Sequence, residues 1–294
     1  MKSVPVKTIL SAYSEKEDWF GTNYNMNLYR GCCHGCIYCD SRSDCYGIDN
    51  YDEVRIKENA IVILERELRS KRKKGIVATG AMSDPYNPFE KTLQLTRSAM
   101  ALIDRFHFGF SAATKSDLIL RDIDLLSKIS RHSPVLIQLT ITTSDDELCR
   151  KIEPHASVSS ERFRAIQMLS NSGIFTGILL MPILPFLEDS EENIRQIVVM
   201  AGDYGARFIY PAFGVTLRQN QREWYLNKIG ELFPEVKEKT IKTFGNSYYC
   251  QSPNAKKLRR IFQEACQQRG ILYEMADIIH AYKKGYWEDQ LSLF

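Results

Sequence analysis

The chain lacks any run of about 20 uninterrupted apolar residues, which argues against a membrane-spanning helix. Its first residues, MKSVPVKTILSAYSEKEDWF, are too polar for the core of a signal peptide, so a soluble, cytoplasmic protein with no membrane partner is expected. Internal repeats and low-complexity segments are absent as well. With 294 residues, 44% of them hydrophobic and 26% charged, disorder is excluded as the main state, and the chain is long enough to bury a sizeable core. A strong charge of one sign is also missing, since 39 Lys and Arg face 36 Asp and Glu for a net +3. That excess is uneven. Residues 1–214 carry 26 basic and 27 acidic side chains and residues 215–294 carry 13 and 9, which leaves room for a polyanionic partner in the C-terminal part.

The eight cysteines do not form the pattern of a disulfide framework. Cys32, Cys33, Cys36 and Cys39 fall within eight residues, and Cys45 follows closely. In a reducing compartment such crowding points to metal or redox chemistry. Cys149, Cys250 and Cys266 stand apart and read as small apolar residues.

From about residue 25 to 215, short apolar runs alternate with longer amphipathic ones, the pattern of successive strand and helix units in a parallel sheet. Strands are expected over 25–29, 75–79, 109–113, 135–140, 177–182 and 207–212. Helices are expected over 59–73, 93–105, 122–130, 160–172 and 190–204. Asp189 and Ser190 supply capping side chains ahead of the last helix, while Gly75, Gly173 and Gly205 are suited to ending helices. The run RSKRKK from Arg69 to Lys74 reads as a cationic helix end facing water. Six units are too few for a closed eight-unit barrel, so the expected fold is α/β, a partial (β/α)6 TIM-like barrel with a mainly helical C-terminal extension. The expected divisions are an N-terminal extension over 1–20, the barrel over 21–215 and the extension over 216–294. In such sheets the ligand site gathers at the C-terminal strand ends.

The first strand runs into Tyr29-Arg30-Gly31-Cys32-Cys33-His34-Gly35-Cys36-Ile37-Tyr38-Cys39-Asp40. The spacing of Cys32, Cys36 and Cys39 places three thiolates on a short loop that can wrap one corner of an iron–sulfur cube. A cubane normally takes four cysteines, so a compact set of three leaves one iron free. A zinc site using the same cysteines with His34 or Cys33 as the fourth ligand is the alternative. The Cys-x3-Cys-x-aromatic-Cys string after a first strand resembles the radical S-adenosylmethionine superfamily. The resemblance implies that Cys32, Cys36 and Cys39 hold a [4Fe-4S] cluster and that S-adenosylmethionine chelates its open iron, with Tyr38 packed near the adenine. It also implies an external electron donor of the flavodoxin or ferredoxin type. Reductive cleavage of the sulfonium would then yield methionine and a 5′-deoxyadenosyl radical that abstracts a substrate hydrogen.

After the second strand comes Ser83-Asp84-Pro85-Tyr86-Asn87-Pro88-Phe89-Glu90, which is similar to the segment that holds the methionine amino group in the spore photoproduct lyase-like branch. Lys115, after the third strand, is placed to answer a carboxylate or a ribose oxygen. Thr140 and Thr142 end the fourth strand, where they serve the cofactor or simply favour a strand. Arg162, in preference to Arg164, opens a helix from which a guanidinium can clamp the methionine carboxylate. Ile183 lies in a proline-containing segment resembling the one whose backbone lies beside adenine. His155 carries no assigned role. Spore photoproduct lyases carry a cysteine hydrogen donor two positions before the Ser-Asp pair, where this chain has Ala81. That argues against repair of spore photoproduct by the same route. Cys45 and Tyr46 read either as a hydrogen relay or as packing residues. The radical S-adenosylmethionine mobile pair type is the close alternative within the branch.

The chain ends in Gln290-Leu291-Ser292-Leu293-Phe294, which resembles the bacterial sliding-clamp-binding pentapeptide. In that reading Gln290 anchors while Leu291, Leu293 and Phe294 fill a cleft on the clamp. Lys256, Lys257, Arg259 and Arg260 lie near Phe244, Tyr248 and Tyr249 in sequence, a mixture suited to DNA. The leading expectation is therefore a radical enzyme acting on a DNA-linked substrate. The alternatives are a non-catalytic, metal-stabilised module that binds DNA or the clamp, and a radical enzyme acting on a peptide or small metabolite.

Overall fold

The computed structural model describes residues 2–13 and 19–286. Six strands form the parallel part of its main sheet, each hydrogen-bonded to the next in chain order: β1 (Tyr24–Met26), β2 (Ile76–Thr79), β3 (Gly109–Thr114), β4 (Val135–Thr140), β5 (Thr176–Leu180) and β6 (Ile209–Pro211). The helices Ala60–Ser70, Leu95–Arg105, Ile123–Ile129, Ser159–Asn171 and Glu191–Asp203 fill the five crossovers. This is the α/β partial barrel that the alternation predicts. Every residue of β2, β4 and β5 is buried, as expected of strands covered on both faces. The helices turn apolar stripes inward: Ala60, Leu64 and Leu68 recur every four residues, and Ile194, Ile197, Val198 and Ala201 follow the same rule. An antiparallel strand, Leu10–Ala12, extends the sheet beyond β1.

The open side of the barrel lies between β6 and the β1 edge. Trp19 and Phe20 fill it edge-on, with ring centroids 5.6 and 5.4 Å from Tyr210, and Phe20 lies 5.8 Å from Phe208. The Tyr282 hydroxyl donates to the Phe20 carbonyl at 2.5 Å, tying the last described helix, Met275–Lys283, to the same seam.

Several boundaries differ from the sequence expectation. β1 stops at Met26, and Tyr29–Arg30 leaves the barrel to pair with Arg55–Lys57, which also pairs with Ser3–Val4. The cysteine loop is thus anchored by this small side sheet. Gly75 does not end a helix; its missing Cβ makes space for Asn23, whose Oδ1 would lie 2.5 Å from that atom and accepts from the Ile76 amide at 2.8 Å. Ser190 caps as expected, accepting from the Asn193 amide, but Asp189 accepts from the Phe186 amide and the Ser252 hydroxyl.

Beyond β6, Gly214–Thr216 pairs antiparallel with Tyr249–Gln251, and helices Gln221–Leu232, Pro234–Phe244 and Ala255–Arg269 precede Met275–Lys283 in the extension. One apolar cluster joins Ile37 and Tyr38 of the cysteine loop to Leu184, Val215, Tyr225 and Ile229. The segment after residue 215 therefore shares core with the loop that carries the cysteines.

Candidate active site

The backbone between β1 and the helix Ala60–Ser70 forces the cysteine loop into a tight path. Gly31 has φ +85°, and a Cβ there would meet the Tyr51 and Glu53 carbonyls at 2.6 and 2.8 Å. The Cys32 amide donates to the Tyr51 carbonyl, the Ile37 amide to the Ile152 carbonyl and the Cys39 amide to the Cys36 carbonyl. The loop so pinned turns Cys32, Cys36 and Cys39 into one cavity of about 420 Å³ at the C-terminal strand ends, which Tyr38, Ser83, Lys115 and Thr140 also line. None of the three is in a disulfide.

The chemistry of this donor set fits a cationic cluster. Burial pushes the Cys32 thiol up to about 12 and the Cys36 thiol well above its ordinary range, with the Lys115 ammonium working against burial at Cys36. Dry thiols of this kind become thiolates when a metal supplies the missing positive charge. The zinc alternative needs a fourth ligand; His34 also lines the cavity, with Nδ1 3.1 Å from the His155 carbonyl and Nε2 within ion-pair distance of Asp84, 3.1 Å from Oδ2. Cys33 packs against the main core and does not line the cavity. Among the described residues, no three His, Cys, Asp or Glu side chains form a group that could hold a metal ion. The three thiols share one cavity of about 420 Å³, the arrangement a four-iron cube needs.

The turn after β2 depends on Gly80, with φ +101° and no room for a Cβ, which would sit 2.0 Å from the Ala113 carbonyl. That turn delivers Ser83 and Asp84. The Ser83 hydroxyl donates to the Tyr29 carbonyl at 3.2 Å and remains on the cavity wall. Asp84 is committed more fully. It accepts from the Tyr86 amide, the Thr114 hydroxyl and the Lys115 amide at 2.7 to 2.8 Å, besides pairing with His34. Burial works against its charge, but His34 and these donors outweigh it and hold the carboxyl at about 2. Its observed work is to tie the cysteine loop to β2 and β3.

Arg162 corrects the sequence reading. It is fully buried and does not line the cavity. Its guanidinium pairs with Glu153 at 2.5 Å and donates to the Thr140 and Lys115 carbonyls at 2.7 and 3.1 Å. Glu153 in turn accepts from the Tyr38 hydroxyl, so Arg162 braces the ends of β3 and β4 and the aromatic of the cysteine loop. Lys115 is the cation that reaches the cavity, its Nζ 5.5 Å from the Tyr38 ring centre. Burial opposes the Lys115 charge, but the neighbouring Cys36 thiol group and the Glu153 carboxylate favour it more strongly, so its pKa rises. Thr142 is also displaced from its expected place: it sits beside the buried Glu188 and does not line the cavity. Ile183 is buried, with its amide donating to the Ala212 carbonyl, while Met181 and Pro182 face the cavity instead.

Sequence reasoning missed Gln138 and Asn25, which also line the cavity. Their signal was available as single amides inside otherwise apolar strands. It missed Tyr51 too, whose hydroxyl lies 3.2 Å from Cys39 Sγ and donates to the Met82 carbonyl at 3.0 Å. Glu153, which braces Arg162, belongs with them.

In the extension, Lys257 pairs with Glu191 and Arg260 with Glu264, while Arg259 lies over the Phe213 ring. Tyr249 reaches the cavity rim, and Arg218 lies over the exposed Tyr248 ring and 3.2 Å from Cys45 Sγ. Gln290, Leu291, Leu293 and Phe294 lie outside the described residues. Among the described residues, no helix is long and apolar enough to cross a membrane.

Comparison with known proteins agrees with this geometry. An uncharacterized protein of Methanocaldococcus jannaschii is 33% identical over 237 residues, covering 75% of this chain and 88% of the relative. An uncharacterized protein of Mycobacterium tuberculosis is 29% identical over 220 residues, covering 72% of this chain but only 64% of the relative's length. Among solved structures, a spore photoproduct lyase double mutant with bound AdoMet and dinucleoside spore photoproduct matches with a TM-score of 0.61 at 17% identity, over 92% of this chain and 81% of that one. The Radical SAM superfamily model matches residues 26–198, the span that carries the three cysteines and all of strands β2 to β5. The chain belongs to the radical SAM superfamily.

Proposed function

We propose that Cys32, Cys36 and Cys39 hold a [4Fe-4S] cluster whose fourth iron binds S-adenosylmethionine, and that the cavity beyond it receives a substrate from which hydrogen is abstracted. When bound, the cluster supplies the electron that cleaves the sulfonium to methionine and a 5′-deoxyadenosyl radical. The chain's own residues position the reactants. The Ser83 hydroxyl and the carbonyls of its turn accept the methionine amino group, and the Lys115 ammonium answers the carboxylate. Thr140 meets the ribose, Tyr38 offers a flat face to the adenine, and the backbone at Met181 and Pro182 borders it. Asp84 and Arg162 act behind these groups, fixing the loop and the strand ends. The carrying observation is that all three cysteines share one cavity with the Ser83 turn, Lys115 and Thr140.

A soluble reductant of the flavodoxin or ferredoxin type supplies the electron in this reading, and a DNA-linked substrate is the favoured class. The exposed Tyr248 under Arg218, with the exposed Tyr249 next to it in sequence, supports that class, because aromatic and guanidinium faces stack on bases. A sliding clamp docked on the Gln290, Leu291, Leu293 and Phe294 peptide would deliver such a substrate. Anaerobically reconstituted protein is expected to hold about four irons and to form 5′-deoxyadenosine on reduction, with both lost in Cys36→Ala. Zinc-loaded protein that leaves S-adenosylmethionine intact would overturn the proposal.

A further inference from the structure

The cavity extends below the level of the cysteines. Thr140 closes β4 at the top, and two residues deeper on the same strand Gln138 faces the same space; Asn25 of β1 faces it from the other end of the sheet. Barrel interiors at this depth are ordinarily filled by branched apolar side chains. Here Ala78 and Ser111 leave the layer hollow.

Gln138 is 3% exposed, and its Nε2 is buried with no hydrogen-bond partner among the described residues; Asn25 Oδ1 is buried and unpartnered in the same way. An unpaired buried amide opposes folding. Two of them on separate strands, turned into one hollow, are explained by a ligand that completes both. The unpartnered atoms are a donor on Gln138 and an acceptor on Asn25, the complement of an acceptor and a donor on the edge of a base. These deep residues are neutral, which suits an uncharged polar ring better than a carboxylate or phosphate. Trp19, 37% exposed, adds a flat apolar ring to the cavity wall, as stacking on a base requires, with the buried Phe20 packed behind it.

We infer that Asn25 and Gln138 are specificity-determining residues that hydrogen-bond the edge of a nucleobase in the substrate, with Trp19 bordering its face. The inference rests on the radical reading of this cavity and narrows its substrate to one that presents a base to the barrel interior. Equilibrium dialysis of the reconstituted protein with S-adenosylmethionine tests it, using thymidine, deoxycytidine, deoxyadenosine and deoxyguanosine singly and N-acetylglycinamide as an amide without a ring. At least one nucleoside is expected to bind saturably. Gln138→Met and Asn25→Leu should each weaken that binding about tenfold or more. Gln138→Glu, which keeps size and an acceptor but loses the donor, should change which nucleoside binds best, with iron content and melting temperature establishing that each variant is folded and loaded. Absence of saturable nucleoside binding, equal binding by all three variants, or equally tight binding of N-acetylglycinamide would overturn the inference. Nucleoside binding with the expected variant pattern but no cleavage of S-adenosylmethionine would instead defeat only the radical reading.

Discussion

Arg162 shows how a functional-looking residue is diverted to structure. Its charge at the head of a helix suggested a carboxylate clamp, but Glu153, nine residues upstream, takes the guanidinium in a fully buried pair. No spacing rule reveals that partnership, because it depends on the loop that folds between them. Removing one member of such a pair strands the other, so Arg162→Met is expected to cost roughly 3–5 kcal/mol in urea unfolding. Adding Glu153→Gln should recover part of that loss. Glu188 carries a different signature. Burial raises its pKa to about 8 from an ordinary 4.5, with Thr142 and the Leu184 amide pulling the other way. The folded chain therefore holds this proton more tightly than the unfolded chain does. The resulting stabilisation is full below about pH 4.5 and is lost as pH rises through about 8. Glu188→Gln has no proton to lose, so its melting temperature should gain on that of the wild type between pH 5 and pH 9. A constant difference across that range would refute the assignment.

At the scale of elements, hydrophobic pattern was a dependable guide where a segment is long and covered by neighbours. Strand Val135–Thr140 has the bounds the sequence predicts. β1 was misread because Leu28 and Tyr29 continue its apolar run, although their burial belongs to a different pairing, with Arg55–Lys57. A run of apolar residues reports burial and cannot say which sheet provides it. The turn after β2 carries the Gly, Pro and Asp that turns favour, but its dependence on Gly80 appears only where β3 passes beneath. Gly80→Ala must displace the Ala113 carbonyl and adopt a strained positive φ. It is expected to lower the melting temperature and to reduce iron loading, because the displaced turn carries Ser83 and Asp84. Unchanged loading would mean that the turn does not set the cysteine loop.

Across the whole molecule, the catalytic end is built from segments far apart in sequence. The loop after β1 supplies the cysteines, Asp84 and Lys115 come from the ends of β2 and β3, and Glu153 and Arg162 brace the loop from behind. The C-terminal extension joins the same construction, with Gln221 donating to the Tyr38 carbonyl at 3.0 Å, while Trp19 and Phe20, ahead of the barrel, close the seam beside β6. The cysteine spacing and the order of the strand-end motifs were readable because each is local. Gln138 and Asn25 were readable only as polar residues out of place, since their common cavity requires the barrel to be assembled. If three cysteines leave one iron for S-adenosylmethionine, the cluster must respond to that compound. Electron paramagnetic resonance of the reconstituted, reduced protein, recorded with and without that compound, tests it most directly. The account predicts a reduced-cluster signal whose g values shift when S-adenosylmethionine is added and which is absent in Cys36→Ala; a signal indifferent to the compound would contradict it.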